Sequence, residues 1–169
     1  MNLSAVQAAA QTDQGFVAFF TTHYGDVAKA LYLLTRDSAE AEELTQEAMT
    51  RVYERWSRVR TMDSPAGYLY RTALNLHRKH ARRLAVAAAI HLPGARENAD
   101  PAQFVEDRSE VMRLLATLSV PQREVVVLVE WLGLDSEEAA AVLGIKPASV
   151  RTRLHRAKEA LRADIGDMI

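Results

Sequence analysis

The stretch from Asp135 to Arg162 constrains this chain more than any other, because its punctuation sets two helices across one another. Asp135 stands three residues before Glu138, the spacing at which an aspartate accepts from the first free amides and a glutamate reaches back to the cap. Gly144 then stops the helix, where a left-handed backbone carries no Cβ penalty. Pro147 suits the first position of a second helix, on which Val150, Leu154, Ala157 and Leu161 share one face. With small Ala140 at the expected crossing and Ile145 after the turn, the pattern is a helix-turn-helix. The opposite face of the second helix carries Arg151, Thr152, His155 and Arg156. Two guanidinium forks and two smaller hydrogen-bonding groups can meet phosphates and base edges in a major groove. Basic helices behind a glycine turn also occur in proteins that bind nothing, so the weight falls on the offsets agreeing together.

The 169 residues, 49% of them hydrophobic, suffice for one domain or two small ones. No cysteine is present, which excludes a disulfide framework and a zinc finger. The longest apolar run, Leu84 to Ile90, is too short to cross a bilayer, and the first fifteen residues lack a signal pattern. The expectation is a cytoplasmic protein without membrane insertion. Net charge is −1, but it is segregated: −4 over residues 1–57, +6 over 58–83, −3 over 84–107, −3 over 108–140 and +3 over 141–169. Two basic blocks between acidic ones suit two contacts with a polyanion, leaving acidic surfaces for basic protein partners.

In chain order, Met1 to Thr12 shows no pattern. Asp13 is a candidate cap for a helix bearing Phe16, Phe19 and Phe20; Gly25 is expected to bend or interrupt it before Val27, Ala30, Leu31 and Leu34 supply core. Asp37, with Glu40 three residues on, opens a helix running to about Trp56. Its buried stripe is Ala41, Leu44, Ala48 and Val52, with Tyr53 and Trp56 expected in the core. Glu43, Gln46, Glu47 and Thr50 form a polar stripe, which on its own looks like an ordinary solvated face. No Glu-x-x-His spacing accompanies these acids, so a di-iron centre lacks support.

Ser64 and Pro65 start the next helix, running to about Arg83. Ala66, Leu69, Ala73 and Leu76 face its core, while Arg71, Asn75, Arg78 and Arg82 line a face suited to a phosphate backbone. Tyr68 and Tyr70 are placed to stack on exposed bases, with core packing as their ordinary alternative. His77 and His80 are three apart, but Arg78, Lys79, Arg82 and Arg83 would repel a metal cation. Leu84 to Ile90 can continue that helix until Pro93-Gly94 ends it, and residues 84–107, with a polar run from Glu97 to Pro101, read as a flexible linker. Val111, Leu114, Leu115 and Leu118 mark one further helix; Pro121 opens another bearing Val125, Leu128 and Val129, with Gly133 as its stop. The fold class is all-α: two small helical domains, 13–83 and 108–165, joined by the linker 84–107.

From Phe16 to Leu161 the chain resembles the extracytoplasmic-function (ECF, group 4) sigma factors of bacterial RNA polymerase, which keep only regions 2 and 4. Ala41 to Trp56 resembles region 2.2, Pro65 to Asn75 the start of region 2.4, and Gln122-Arg-Glu-Val125 with Asp135 to Leu161 region 4. Lys146 departs from the Ser or Thr that often caps the recognition helix, and Pro121 sits slightly late. The resemblance implies that Glu43, Gln46, Glu47 and Thr50 bind the β′ clamp coiled coil, reversing the solvated reading. It implies that Arg71 and Asn75 engage the promoter −10 element, with Arg78 and Arg82 on the same basic face. The loop from Ser57 to Ser64 would capture a flipped base. Arg151, Thr152, His155 and Arg156 would read the −35 element.

The implied partners are core RNA polymerase, through its β′ and β subunits, promoter DNA and an anti-sigma factor; the linker would thread through polymerase. No cofactor, metal or catalytic residue is expected, and no regulatory extension beyond Ile169. The weighed alternatives are a stand-alone helix-turn-helix repressor and a helical adaptor with no DNA role.

Overall fold

The computed structural model describes residues 3–90 and 107–166, with side-chain surroundings given for 14–89 and 110–164. Within them every element is helical: α1 (Leu3–Thr35), α2 (Ser38–Glu54), α3 (Trp56–Val59), α4 (Pro65–Ile90), α5 (Asp107–Thr117), α6 (Val120–Val126), a π turn (Val127–Trp131), α7 (Ser136–Leu143) and α8 (Pro147–Gly166).

The first correction lies in α1, where neither Asp13 nor Gly25 ends or interrupts the helix. An interior glycine costs only about 1 kcal/mol, and Val27, Ala30, Leu31 and Leu34 beyond it are all buried. Each large side chain so buried contributes about 1.5–3 kcal/mol, enough to carry the helix through.

Asp37 caps α2 as its spacing requires, accepting from the Glu40 amide at 3.0 Å. Glu40 does not reach back. Its carboxylate lies 2.8 Å from His80 on α4, and the Asp37 amide donates to Thr35 Oγ1 instead. The expected apolar stripe of α2 is buried, with Thr45 and Met49 added to it. Trp56 is buried against Phe16 and Phe19, but Tyr53, expected in the core, is 51% exposed, with its ring tilted against Phe16 at a centroid separation of 4.8 Å. Position 53 sits next to Val52 on the helix, about 100° around from the buried stripe.

Ser64 caps α4 by accepting from the Gly67 amide at 3.0 Å. A Cβ on Gly67 would stand 2.7 Å from that hydroxyl, so the close cap requires glycine there. Of the two readings of Leu84 to Ile90, the helical one holds, since α4 continues to Ile90; residues 91–106 of the expected linker lie outside the described residues.

In the second half, the Asp135–Glu138 capping box forms in full. Asp135 accepts from the amides of Glu137 and Glu138, and Glu138 accepts from the Asp135 amide. Gly144 adopts φ 70°, and Ala140 of α7 and Val150 of α8 are both buried in the same core. Asp135→Ala should lower stability by about 1 kcal/mol, because two amides lose their acceptor at once; denaturant titration would show it as a reduced midpoint. An unchanged midpoint would mean that water caps α7 equally well.

The two halves pack as one body. Val27, Ala30, Leu31, Leu34, Tyr70, Ala73 and Leu74 of the first close around a seam with Val127, Leu128 and Leu132 of the second. His77 is buried near this seam, and its Nδ1 has no hydrogen-bond partner among the described residues. Burial holds its imidazole below the ordinary 6.5, although Glu40 and Glu124 pull the other way, and burial lowers His23 likewise. Below pH 6.5 the unfolded chain therefore takes up more protons than the folded one, so stability falls as pH drops from 7 towards 5. His77→Leu should flatten that part of a Tm–pH curve, leaving the smaller slope due to His23. An equally steep curve would assign the acid loss to other groups.

Candidate nucleic-acid interface

The outer face of α8 is built by what its inner face buries. Val150 and Ala157 are fully buried, with Leu154 and Leu161 partly so, and this rotation leaves Arg151, Thr152, His155 and Arg156 all exposed. Thr152 bonds back to the Ala148 carbonyl, Arg151 lies 3.7 Å from Glu137, and His155 lies 3.4 Å from Glu159. Arg156 makes no hydrogen bond or ion pair among the described residues. Lys146 precedes Pro147 and offers only its carbonyl, which accepts from the amides of Ser149 and Val150.

The basic face of α4 is divided rather than continuous. Asn75 and Arg82 are exposed. Arg78 is partly buried and forms a two-pronged pair with Glu124 of α6, Nε to Oε1 at 2.8 Å and Nη2 to Oε2 at 2.7 Å. That hydrogen bond raises the Arg78 pKa further above its ordinary value. Arg71 reaches α7 and donates to the carbonyl of Ala141. Nor do the two tyrosines share a role: Tyr70 is buried, near His23, and is unable to stack on a base. Tyr68 is half-buried, and its hydroxyl accepts from Arg55 at 2.9 Å. Residues 57–59 of the expected loop are helical, in α3, before the turn that leads to Ser64.

On α2, Glu43, Gln46, Glu47 and Thr50 share an exposed face. Glu47 pairs with Arg51 at 2.6 Å, and the Thr50 hydroxyl donates to the Gln46 carbonyl. Glu43 has no ion-pair partner among the described residues.

The sequence reading passed over Arg123 and Glu124. Arg123 donates to the carbonyls of Leu115 and Leu118, at the C-terminal end of α5. Glu124 is 3% exposed. A signal for it existed: an acid four residues before Leu128 falls on the buried arc of a helix, and a charge placed there requires a partner.

Residues 19–86 match the family model of Sigma-70 region 2, and residues 108–161 that of Sigma-70, region 4. The RNA polymerase sigma-E factor of Streptomyces avermitilis is 32% identical over 152 residues, covering 89% of this chain and 84% of the relative. The ECF RNA polymerase sigma factor SigC of Mycobacterium tuberculosis is 30% identical over 169 residues, covering 95% and 88%. Among solved structures, CnrH in complex with the cytosolic domain of CnrY is similar with a TM-score of 0.68 at 24% identity, covering 96% of this chain and 95% of that one. RpoE of Bartonella quintana, in complex with the anti-sigma factor NepR, gives 0.71 at 18% identity, covering 89% and 96%. Those two likenesses speak to the fold. With regions 2 and 4 present in order and relatives at 30% identity or more matched over most of their length, the chain belongs to the extracytoplasmic-function RNA polymerase sigma factors.

Proposed function

We propose that this sigma factor brings core RNA polymerase to bipartite promoters through three of its helix faces. The acidic face of α2, Glu43, Gln46, Glu47 and Thr50, docks the basic clamp coiled coil of β′. Arg71, Asn75, Arg78 and Arg82 of α4, with the turn before Ser64, engage and hold open the −10 element. Arg151, Thr152, His155 and Arg156 of α8 read the −35 element in the major groove. The observation that carries this is the rotation of α8: burying Val150 and Ala157 leaves all four reading residues exposed on one side.

The protein acts by binding energy alone and catalyses nothing. It works in the cytoplasm with polymerase; no described helix is long and apolar enough to cross a membrane. An anti-sigma protein is its regulator, as NepR and CnrY are partners of the two structural relatives. A stand-alone repressor would have no use for a region 2 domain, which occupies residues 19–86 here.

Run-off transcription tests the reading directly. Purified protein added to bacterial core enzyme should give discrete start sites on templates drawn from the source genome. Start sites identical with and without it, across all templates, would overturn the proposal.

A further inference from the structure

We infer that the cavity walled by α1, α2, α5 and the π turn is a binding site for a small aromatic zwitterion of dipeptide size, a molecule that carries its own ammonium and carboxylate. The site goes beyond the promoter and polymerase contacts proposed above and uses none of their residues.

Its walls have local causes. On α1, Tyr24, Ala28 and Tyr32 succeed one another at one-turn spacing, and the small side chain of Ala28 between two rings leaves a hollow. Trp131, the last residue of the π turn, supplies a third ring. In an unbroken α-helix it would follow Val127 and Leu128, four and three residues earlier, onto the buried face. The Leu132 amide instead donates to the Val127 carbonyl, a turn one residue wider, and Trp131 emerges 48% exposed. Such widened turns are rare in helices and frequent at functional sites. The cavity holds about 400 Å³, within the range of small-molecule sites, and lies where two domains meet, a preferred place for them.

Charge decides the occupant. Lys29 and Glu42 both line the cavity without pairing with one another. The Lys29 ammonium lies 5.9 Å from the centre of the Trp131 ring, and the Glu42 carboxylate accepts from the Gln46 side-chain amide at 3.3 Å. Neither has an ion-pair partner among the described residues. An apolar helix seated here would take both charges out of water with nothing to compensate them. A simple anion would meet Glu42, and a simple cation Lys29. A molecule with both ends ionised answers each, while its apolar side chains cover the three rings and the exposed Val111 at the rim.

The dipeptide Leu-Phe is the probe, in its free form and with its amine acetylated, its carboxylate amidated, or both. Isothermal titration of the full-length chain should give a Kd on the order of 0.1 mM for the free form, the scale for a ligand of about 20 non-hydrogen atoms. Blocking either end should weaken binding by about tenfold, the loss expected for one charge-assisted contact. Lys29→Met should make the free and amidated forms bind equally, whereas Lys29→Arg should keep their difference. Glu42→Gln should equalise the free and acetylated forms; both positions are exposed, so these changes leave the core untouched. The chain has two tryptophans and Trp56 is buried, so a shift of tryptophan emission on binding reports Trp131 and should vanish in Trp131→Phe. Equal binding of the doubly blocked dipeptide would overturn the proposal, making the cavity a groove for any apolar segment. So would the absence of heat and of an emission shift up to about 10 mM free dipeptide, roughly a hundredfold above the expected Kd. An emission shift that grows with protein concentration alone would also overturn it, giving the cavity to a second copy of the chain.

Discussion

Arg156→Ala should cut transcription from a −35-dependent promoter by about 10- to 100-fold while leaving the yield of holoenzyme unchanged. A bidentate guanidinium contact with a base is worth about 1–3 kcal/mol of discrimination, and each 1.4 kcal/mol is a factor of ten. Arg156 suits the test because it is exposed and makes no hydrogen bond or ion pair among the described residues, so its removal disturbs none of those contacts. Arg151 is less clean, since Glu137 lies within 3.7 Å of it. Two measurements separate the outcomes: run-off transcription on a template with an intact or scrambled −35 box, and co-purification of variant with core enzyme. Loss confined to the intact box assigns Arg156 to base reading. Equal activity of variant and wild type would take α8 out of −35 recognition at that position, and parallel loss of core binding would place Arg156 in the polymerase contact instead.

Glu43→Arg should weaken binding to core polymerase by about 10- to 100-fold, because reversal removes an attraction and adds a repulsion against a basic partner. Close charge pairs across protein interfaces couple by about 1.5–7 kcal/mol, and an exposed position should sit at the low end. The structure explains why Glu43 is the better site than Glu47. Glu47 is held at 2.6 Å by Arg51, so reversing it also sets two cations one turn apart on α2. Glu43 has no such partner among the described residues, and the buried side of α2 is untouched by its change. A competition assay with labelled wild-type factor would register the loss as a right-shifted curve, with the shift growing at low salt. A curve superimposable on wild type would move the polymerase contact off α2.

The two variants together divide the proposed labour. Arg156→Ala should assemble and fail on DNA; Glu43→Arg should fail before DNA is reached. A reversal of that pattern would exchange the roles of the two faces.

Much of the local architecture was legible from residue order because its causes act within one helical turn. Asp135 finds the Glu137 and Glu138 amides two and three residues away, and Ser64 finds Gly67 three residues away. Gly144 ends α7 through its own backbone, and the stripe Ala41, Leu44, Ala48, Val52 is buried by spacing alone. The exposure of the α8 face followed from the same logic. Errors appeared where a local signal was weaker than distant packing. Gly25 is a poor helix residue, yet the buried run from Val27 to Leu34 outweighs it. Glu40 was poised to complete a capping box and instead met His80, forty residues away. Tyr70, on a helix rich in arginine, was drawn into the core while Tyr53 was left half in water.

By itself, the residue order determined the helices, their caps and the two family domains, since capping, periodicity and small-residue turns are short-range forces written into neighbouring positions. Only the tertiary structure decided what the arginines of α4 touch. Arg71 and Ala141 are seventy residues apart, and Arg78 and Glu124 forty-six. A guanidinium binds a phosphate, a carboxylate or an open helix carbonyl by the same hydrogen bonds, so its partner is fixed by which of them the fold brings within 3 Å.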